Sequence, residues 1–168
     1  MTEALVFPDG RLVLGTHIFR AALGKGGVRP ATEKREGDGA TPAALLPLRR
    51  VLYRADRGPI PRAAVPREPI AAEDGWCDDP GHPDYNRKVR LPHPARCEQL
   101  WRSDSLYDIV GVLGWNDAPV ERGRGSAIFL HVAWPDHAPT EGCVALAAAD
   151  LRSVLAAGLT ALRVTDRG

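Results

Sequence analysis

The chain has 168 residues, of which 44% are hydrophobic, and 22 Lys plus Arg against 21 Asp plus Glu leave a net charge of +1. That length and apolar content suit one domain with a real core, and the near-neutral balance offers no basic face for nucleic acid. No apolar run approaches the roughly 18 residues that a membrane-spanning helix needs. Taken in order, residues 4–7 and 11–14 flank Pro8-Asp9-Gly10 and predict a hairpin, with Asp-Gly supplying positive φ angles. His17 to Leu23 predicts a further strand. Residues 24–44 are rich in Gly, Pro, Thr and charge and read as loop. Leu48 to Tyr53 reads as a strand. Residues 54–97 carry eight prolines and no clear period, which means either a functional cover or a disordered insert. The Trp, Tyr and Ile residues there favour a packed cover. Glu98 to Arg102 predicts a short helix. Asp108 to Leu113 and Ala127 to His131 are apolar strands, the second ending in the histidine. Residues 147–157 place Leu151, Val154 and Leu155 at helical spacing, with Gly158 as the stop, and Ala161 to Thr165 closes as a strand. Strands dominate, so the fold class is mainly β, a sandwich or a curled sheet.

Three cysteines, Cys77, Cys97 and Cys143, leave at least one thiol free. Cys143 follows Gly142 in a short turn, and His131 ends a strand twelve positions earlier. A thiol and an imidazole in that arrangement can act as nucleophile and base. The amides of Gly142 and Cys143 could face a developing oxyanion, and a helix starting just beyond would favour the thiolate. The bland reading is a buried small hydrophobe and a satisfied structural histidine. His137 is a rival base, nearer in sequence but in a Pro-flanked loop, and ranks second.

Cys77, His82, His93 and Cys97 have the spacing C-x4-H-x10-H-x3-C. Four such ligands suit a structural zinc, or else two exposed histidines beside two buried or bridged thiols. The pairs are not a standard C-x2-C, so the spacing alone assigns no metal and no cofactor. Gly24 to Gly27 lacks the Walker spacing and is not a phosphate loop.

His131 followed by Thr140-Glu141-Gly142-Cys143-Val144, together with Gly37-Asp38-Gly39-Ala40-Thr41-Pro42 upstream, resembles the signature of L,D-transpeptidase catalytic domains, also called YkuD-like. The middle segment, from Gly75-Trp76-Cys77 to Tyr107-Asp108, resembles a compact proteobacterial branch without separate substrate-binding modules. Ala145 stands where many members have Arg, and Val132 where Gly often follows the histidine. The resemblance implies one catalytic domain over residues 1–168, a β-sandwich with one or two short helices, in which 54–102 is an insertion or lid. It implies Cys143 as nucleophile, His131 as base oriented by the Val132 carbonyl, and Gly142 at the oxyanion site. Arg124, Trp134, His137, Thr140, Tyr107, Tyr85 and Asn86 are the candidates for binding substrate.

The implied reaction forms a thioester on a peptidoglycan stem peptide and passes the acyl group to the amine of a second stem. No cofactor, nucleic acid or membrane span is expected, and the oligomeric state is left open. The opening residues show no signal-peptide pattern, while the implied substrate places the protein in the periplasm or cell envelope, with the cytoplasm as alternative. The rival functions are a muropeptide hydrolase of the L,D-carboxypeptidase or amidase type, and a non-catalytic cell-wall binding module.

Overall fold

A computed structural model describes residues 1–168. The elements in chain order are β1 (Glu3–Val6), β2 (Arg11–Leu14), β3 (His17–Ala22), β4 (Val28–Pro30), β5 (Thr41–Ala43), β6 (Leu45–Tyr53) and β7 (Arg67–Pro69). They continue with β8 (Asp74–Cys77), β9 (Arg87–Arg90), β10 (Cys97–Gln99), β11 (Ile109–Leu113), β12 (Phe129–Val132), β13 (Val144–Leu146), α1 (Ala148–Ala156) and β14 (Ala161–Val164). The fold is mainly β with one helix, as the apolar alternation predicts.

The principal sheet runs β11-β12-β13-β3-β2-β1-β14-β6-β7, and β11 also pairs with β6. The ring is therefore closed. Closure is possible because β6 is nine residues long: its first third pairs with β14, and its remainder with β11. Inside the ring lies a core that includes Val6, Leu12, Leu46, Val51, Leu130 and Leu162. Helix α1 presents Leu151, Val154 and Leu155 to that core, as their spacing predicts, and ends before Gly158 at φ +92°. Side chains alternate along β11, so Ile109 and Leu113 point into the ring while Val110 and Val112 point out of it. All five residues of β11 are nonetheless buried, because both faces are covered.

The outer cover is the Pro-rich segment. Its strands β8, β9 and β10 form a separate three-stranded sheet, which is more order than the sequence suggests for residues 54–97. Ile70, Trp76, Leu100 and Tyr107 pack on Leu52, Val110, Val112 and Phe129. Trp76 and Tyr107 both meet the Phe129 ring edge-on, at 5.0 and 5.8 Å between centroids. Such pairs add roughly 0.5–1.5 kcal/mol each beyond the area they bury.

Two local expectations are corrected. Glu98 to Arg102 is not a helix: Glu98 and Gln99 lie in β10, opposite Trp76 and Gly75 of β8. Backbone pairing across the small sheet overrides the helical tendency of a five-residue stretch. The loop predicted at 24–44 holds a short parallel pair, β4 with β5.

Candidate active site

The β12–β13 pair is parallel, with Leu130 opposite Val144 and His131 opposite Ala145. Phe129 and Cys143 lie one step earlier on each chain, and the Phe129 N–H is 3.4 Å from the Cys143 sulfur. His131 and Cys143 thus occupy one face of the sheet on a diagonal. For such positions Cα atoms are about 7–8 Å apart, within reach of long side chains. Both residues line a cavity of about 550 Å³.

Each group is oriented by backbone. The His131 Nδ1 lies 2.9 Å from the Val132 carbonyl oxygen, and the Tyr107 ring packs edge-on against the imidazole at 5.3 Å. The Cys143 thiol donates to the Ala127 carbonyl at 3.3 Å, and no hydrogen bond joins sulfur to imidazole. Ala127 stands at φ +52°, just ahead of β12, which turns its carbonyl out of the ladder. Burial pushes the thiol up to about 12, and the Glu98 carboxylate pushes the same way. Burial also lowers the imidazole to about 4. In the resting site both groups are therefore neutral. A helix N-terminus does not favour the thiolate here, because β13 follows Cys143 and α1 begins only at Ala148.

The turn before Cys143 is built by Thr140 and Gly142. The Thr140 hydroxyl donates to the Cys143 carbonyl at 2.8 Å and accepts from the Gly142 N–H at 3.1 Å. The Gly142 amide is thereby engaged, and the Cys143 N–H is the amide of the pair without a protein acceptor. Gly142 sits at φ +134°, and a Cβ there would come within 2.8 Å of the Ala40 oxygen. The Gly37–Pro42 loop is thus packed directly under this turn. Asp38 holds that loop by accepting from Lys34 Nζ at 2.6 Å and from the amides of Arg35 and Ala40. Thr41 accepts from the Gly24 N–H at 3.0 Å.

Of the remaining candidates, Tyr107, Thr140 and Trp134 line the cavity, and Trp134 is 42% exposed. Arg124 does not line it. It pairs with Glu121 at 2.9 Å and donates to the Ala31 carbonyl. Tyr85 and Asn86 are also elsewhere. The Tyr85 hydroxyl donates to Glu36 and accepts from the Gly125 N–H. Asn86 accepts from Trp76 Nε1 and the Ala127 N–H, and donates to the carbonyls of Trp115 and Asn116. These two residues tie the cover to the core. His137 sits at φ +54° outside the cavity lining, with both ring nitrogens buried and unpartnered.

Sequence reasoning missed most of the cavity's charged wall. Lys34, Glu36, Asp78, Arg96 and Glu98 line it, together with Arg102, a cover residue that the sequence offers as a stem-peptide contact. Glu98 is half-buried, with desolvation of its carboxyl raising the pKa, and it accepts a hydrogen bond from the Tyr107 hydroxyl. Arg102 is held by Asp104 through two contacts, at 2.9 and 2.6 Å, and lies over the Tyr107 ring. No local pattern marks these residues, because four of them arrive from the cover.

Fold and site together define a mainly β domain whose cavity is lined by a cysteine and a histidine set diagonally on adjacent chain segments. The family model described as the L,D-transpeptidase catalytic domain, YkuD, matches residues 2–161, and the chain belongs to that family. The family is cysteine-dependent and acts on peptidoglycan. No curated protein and no solved structure matches the chain.

Proposed function

We propose that the protein is a peptidoglycan L,D-transpeptidase that crosslinks stem peptides through a thioester on Cys143. The observation that carries this reading is the convergence of Cys143 and a backbone-oriented His131 on one cavity. A carbonyl only accepts hydrogen bonds, so the Val132 contact keeps the His131 proton on Nδ1 and leaves the Nε2 lone pair free. Nε2 takes the thiol proton as sulfur attacks the donor carbonyl, and a carbon–sulfur bond forms. The Cys143 N–H is placed to stabilise the oxyanion. The proton then passes from His131 to the departing amine as the carbon–nitrogen bond breaks. The acceptor amine attacks the thioester, gives its proton to His131, and the sulfur leaves and is reprotonated. One amide is exchanged for another, without oxidant or nucleotide.

Arg96 and Arg102 supply positive charge for the stem carboxylates, and Trp134 flanks the mouth. Residues 54–102 act as a wall or lid that limits water, since water competes with the acceptor amine. The proposed substrate favours the periplasm or cell envelope as the site of action, with the cytoplasm as the alternative.

The test is incubation with a defined donor stem, with and without an acceptor stem, followed by mass spectrometry. A crosslinked product that disappears in Cys143→Ala is expected. Hydrolysed donor alone, even with excess acceptor, would make the protein a muropeptide hydrolase. Binding without any covalent adduct would make it a non-catalytic wall-binding module.

A further inference from the structure

We propose that Cys77, His82, His93 and Cys97 form a zinc site that staples the covering segment beside the cavity. Strand register sets Cys77 of β8 directly opposite Cys97 of β10. The ligand atoms of Cys77, Cys97 and His93 all lie within 4.8 Å of one another, and those of His82, Asp84 and His93 form a second such group that shares His93. The His82 and His93 rings are 4.8 Å apart, centre to centre. All three cysteines are free, and Cys77 is fully buried.

Two thiolates and two imidazoles are the soft, four-ligand set that structural zinc takes. Zinc–sulfur and zinc–nitrogen bonds of about 2.3 and 2.0 Å put tetrahedral ligands roughly 3.3–3.8 Å apart. Side-chain shifts of about 1 Å therefore close the Cys77–His93–Cys97 part of the site, and His82, grouped with His93 but not with the two thiols, swings further to complete it. As the zinc–sulfur bonds form, both thiol protons pass to solvent, and nothing is oxidised. Asp84 lies 2.9 Å from His93 Nε2, a carboxylate partner of the sort that orients ligating histidines. The Ala95 N–H, 3.1 Å from His93 Nδ1, is the contact that metal at that nitrogen would displace.

The location gives the staple a purpose. The three strands of the small sheet have only three or four residues each, and the connections between them, 78–86 and 91–96, carry no helix or strand. A metal would join β8, both connections and β10 at one point. Asp78, Arg96 and Glu98, the chain neighbours of the two cysteines, line the cavity. The site thus sets the position of the cavity wall, and it stands whether or not Cys143 proves to be a nucleophile.

The test is elemental mass spectrometry of the purified full chain, followed by chelation and titration of the apoprotein with cobalt. One zinc per chain is expected, with a sulfur-to-cobalt charge-transfer band in the near ultraviolet. Cys143→Ala should keep both signals, whereas His93→Gln and Cys97→Ser should lose most of the zinc. Absence of metal together with no charge-transfer band in the unsubstituted chain overturns the proposal without relying on any variant's folding. A native mass two hydrogens short, with cobalt refused, overturns it in favour of a Cys77–Cys97 disulfide. Full zinc retention in His93→Gln also overturns it.

Discussion

The imidazole of His131 is tied to its own chain neighbour, with Nδ1 2.9 Å from the Val132 carbonyl oxygen. This contact selects the tautomer that can act as a base at Nε2. Replacing His131 by Gln removes the proton acceptor while preserving much of the volume. Acyl-enzyme formation on a donor stem should fall by about 10²–10⁴-fold, the range typical of a lost general base. A rate within a few-fold of the parent, followed by mass spectrometry over time, would assign the base elsewhere.

Burial makes the folded chain reluctant to charge this site. The unfolded chain protonates His131 near pH 6.5, whereas the folded chain resists until about 4. Between those values the unfolded state binds more protons, so stability falls as pH drops from 6.5 towards 4. The loss is on the order of 3 kcal/mol at its lower end. Thermal denaturation across this window should show a falling Tm, and His131→Gln should flatten the slope. A parent and variant with equal slopes would show that the ring is already solvated.

Glu98 tunes the nucleophile by charge. Its carboxylate pushes the Cys143 thiol up, second only to burial. Glu98→Gln should therefore move the pH profile of Cys143 alkylation towards lower pH and raise the rate at neutral pH. The profile, measured with a small iodoacetamide-type probe, would show no movement if Glu98 is protonated throughout. Protonation is the direction in which its own burial drives it.

Gly142 is required by the backbone beneath it. An alanine Cβ would meet the Ala40 oxygen at 2.8 Å, at a φ of +134° that side chains rarely adopt. Gly142→Ala should cost about 1–3 kcal/mol in urea denaturation and displace the neighbouring sulfur. Alkylation of Cys143 should change along with stability. A variant with parental stability would mean that the loop at Ala40 yields freely.

Asn86 is a fastening between cover and core. It makes four hydrogen bonds, to Trp76, Ala127, Trp115 and Asn116, from a buried position at φ +57°. Asn86→Ala leaves those groups unpaired at about 1–3 kcal/mol for each that stays dry. A loss of at least about 3 kcal/mol is expected by chemical denaturation. By contrast, Arg124→Ala should leave the donor KM unchanged, because Arg124 lies outside the cavity.

What the sequence by itself determined was local. Short continuous apolar runs marked β11 and β12, helical spacing of Leu151, Val154 and Leu155 marked α1, and His131 was legible near its strand end. The Gly142-Cys143 turn was legible too, since a glycine before a cysteine constrains only its immediate neighbours. Tertiary structure decided the rest. It closed the ring through β6, turned Glu98 and Arg102 into the cavity wall, and drew Tyr85, Asn86 and Arg124 into structural ties. It also drew His93 up to both Cys77 and Cys97 and to His82, where the spacing had offered a zinc set and a bridged or exposed set as alternatives. The physical reason is range. Strand and helix periodicity is encoded within a few residues, whereas a cavity wall is assembled from segments dozens of positions apart. Their meeting depends on how each chain return pairs and buries its apolar face.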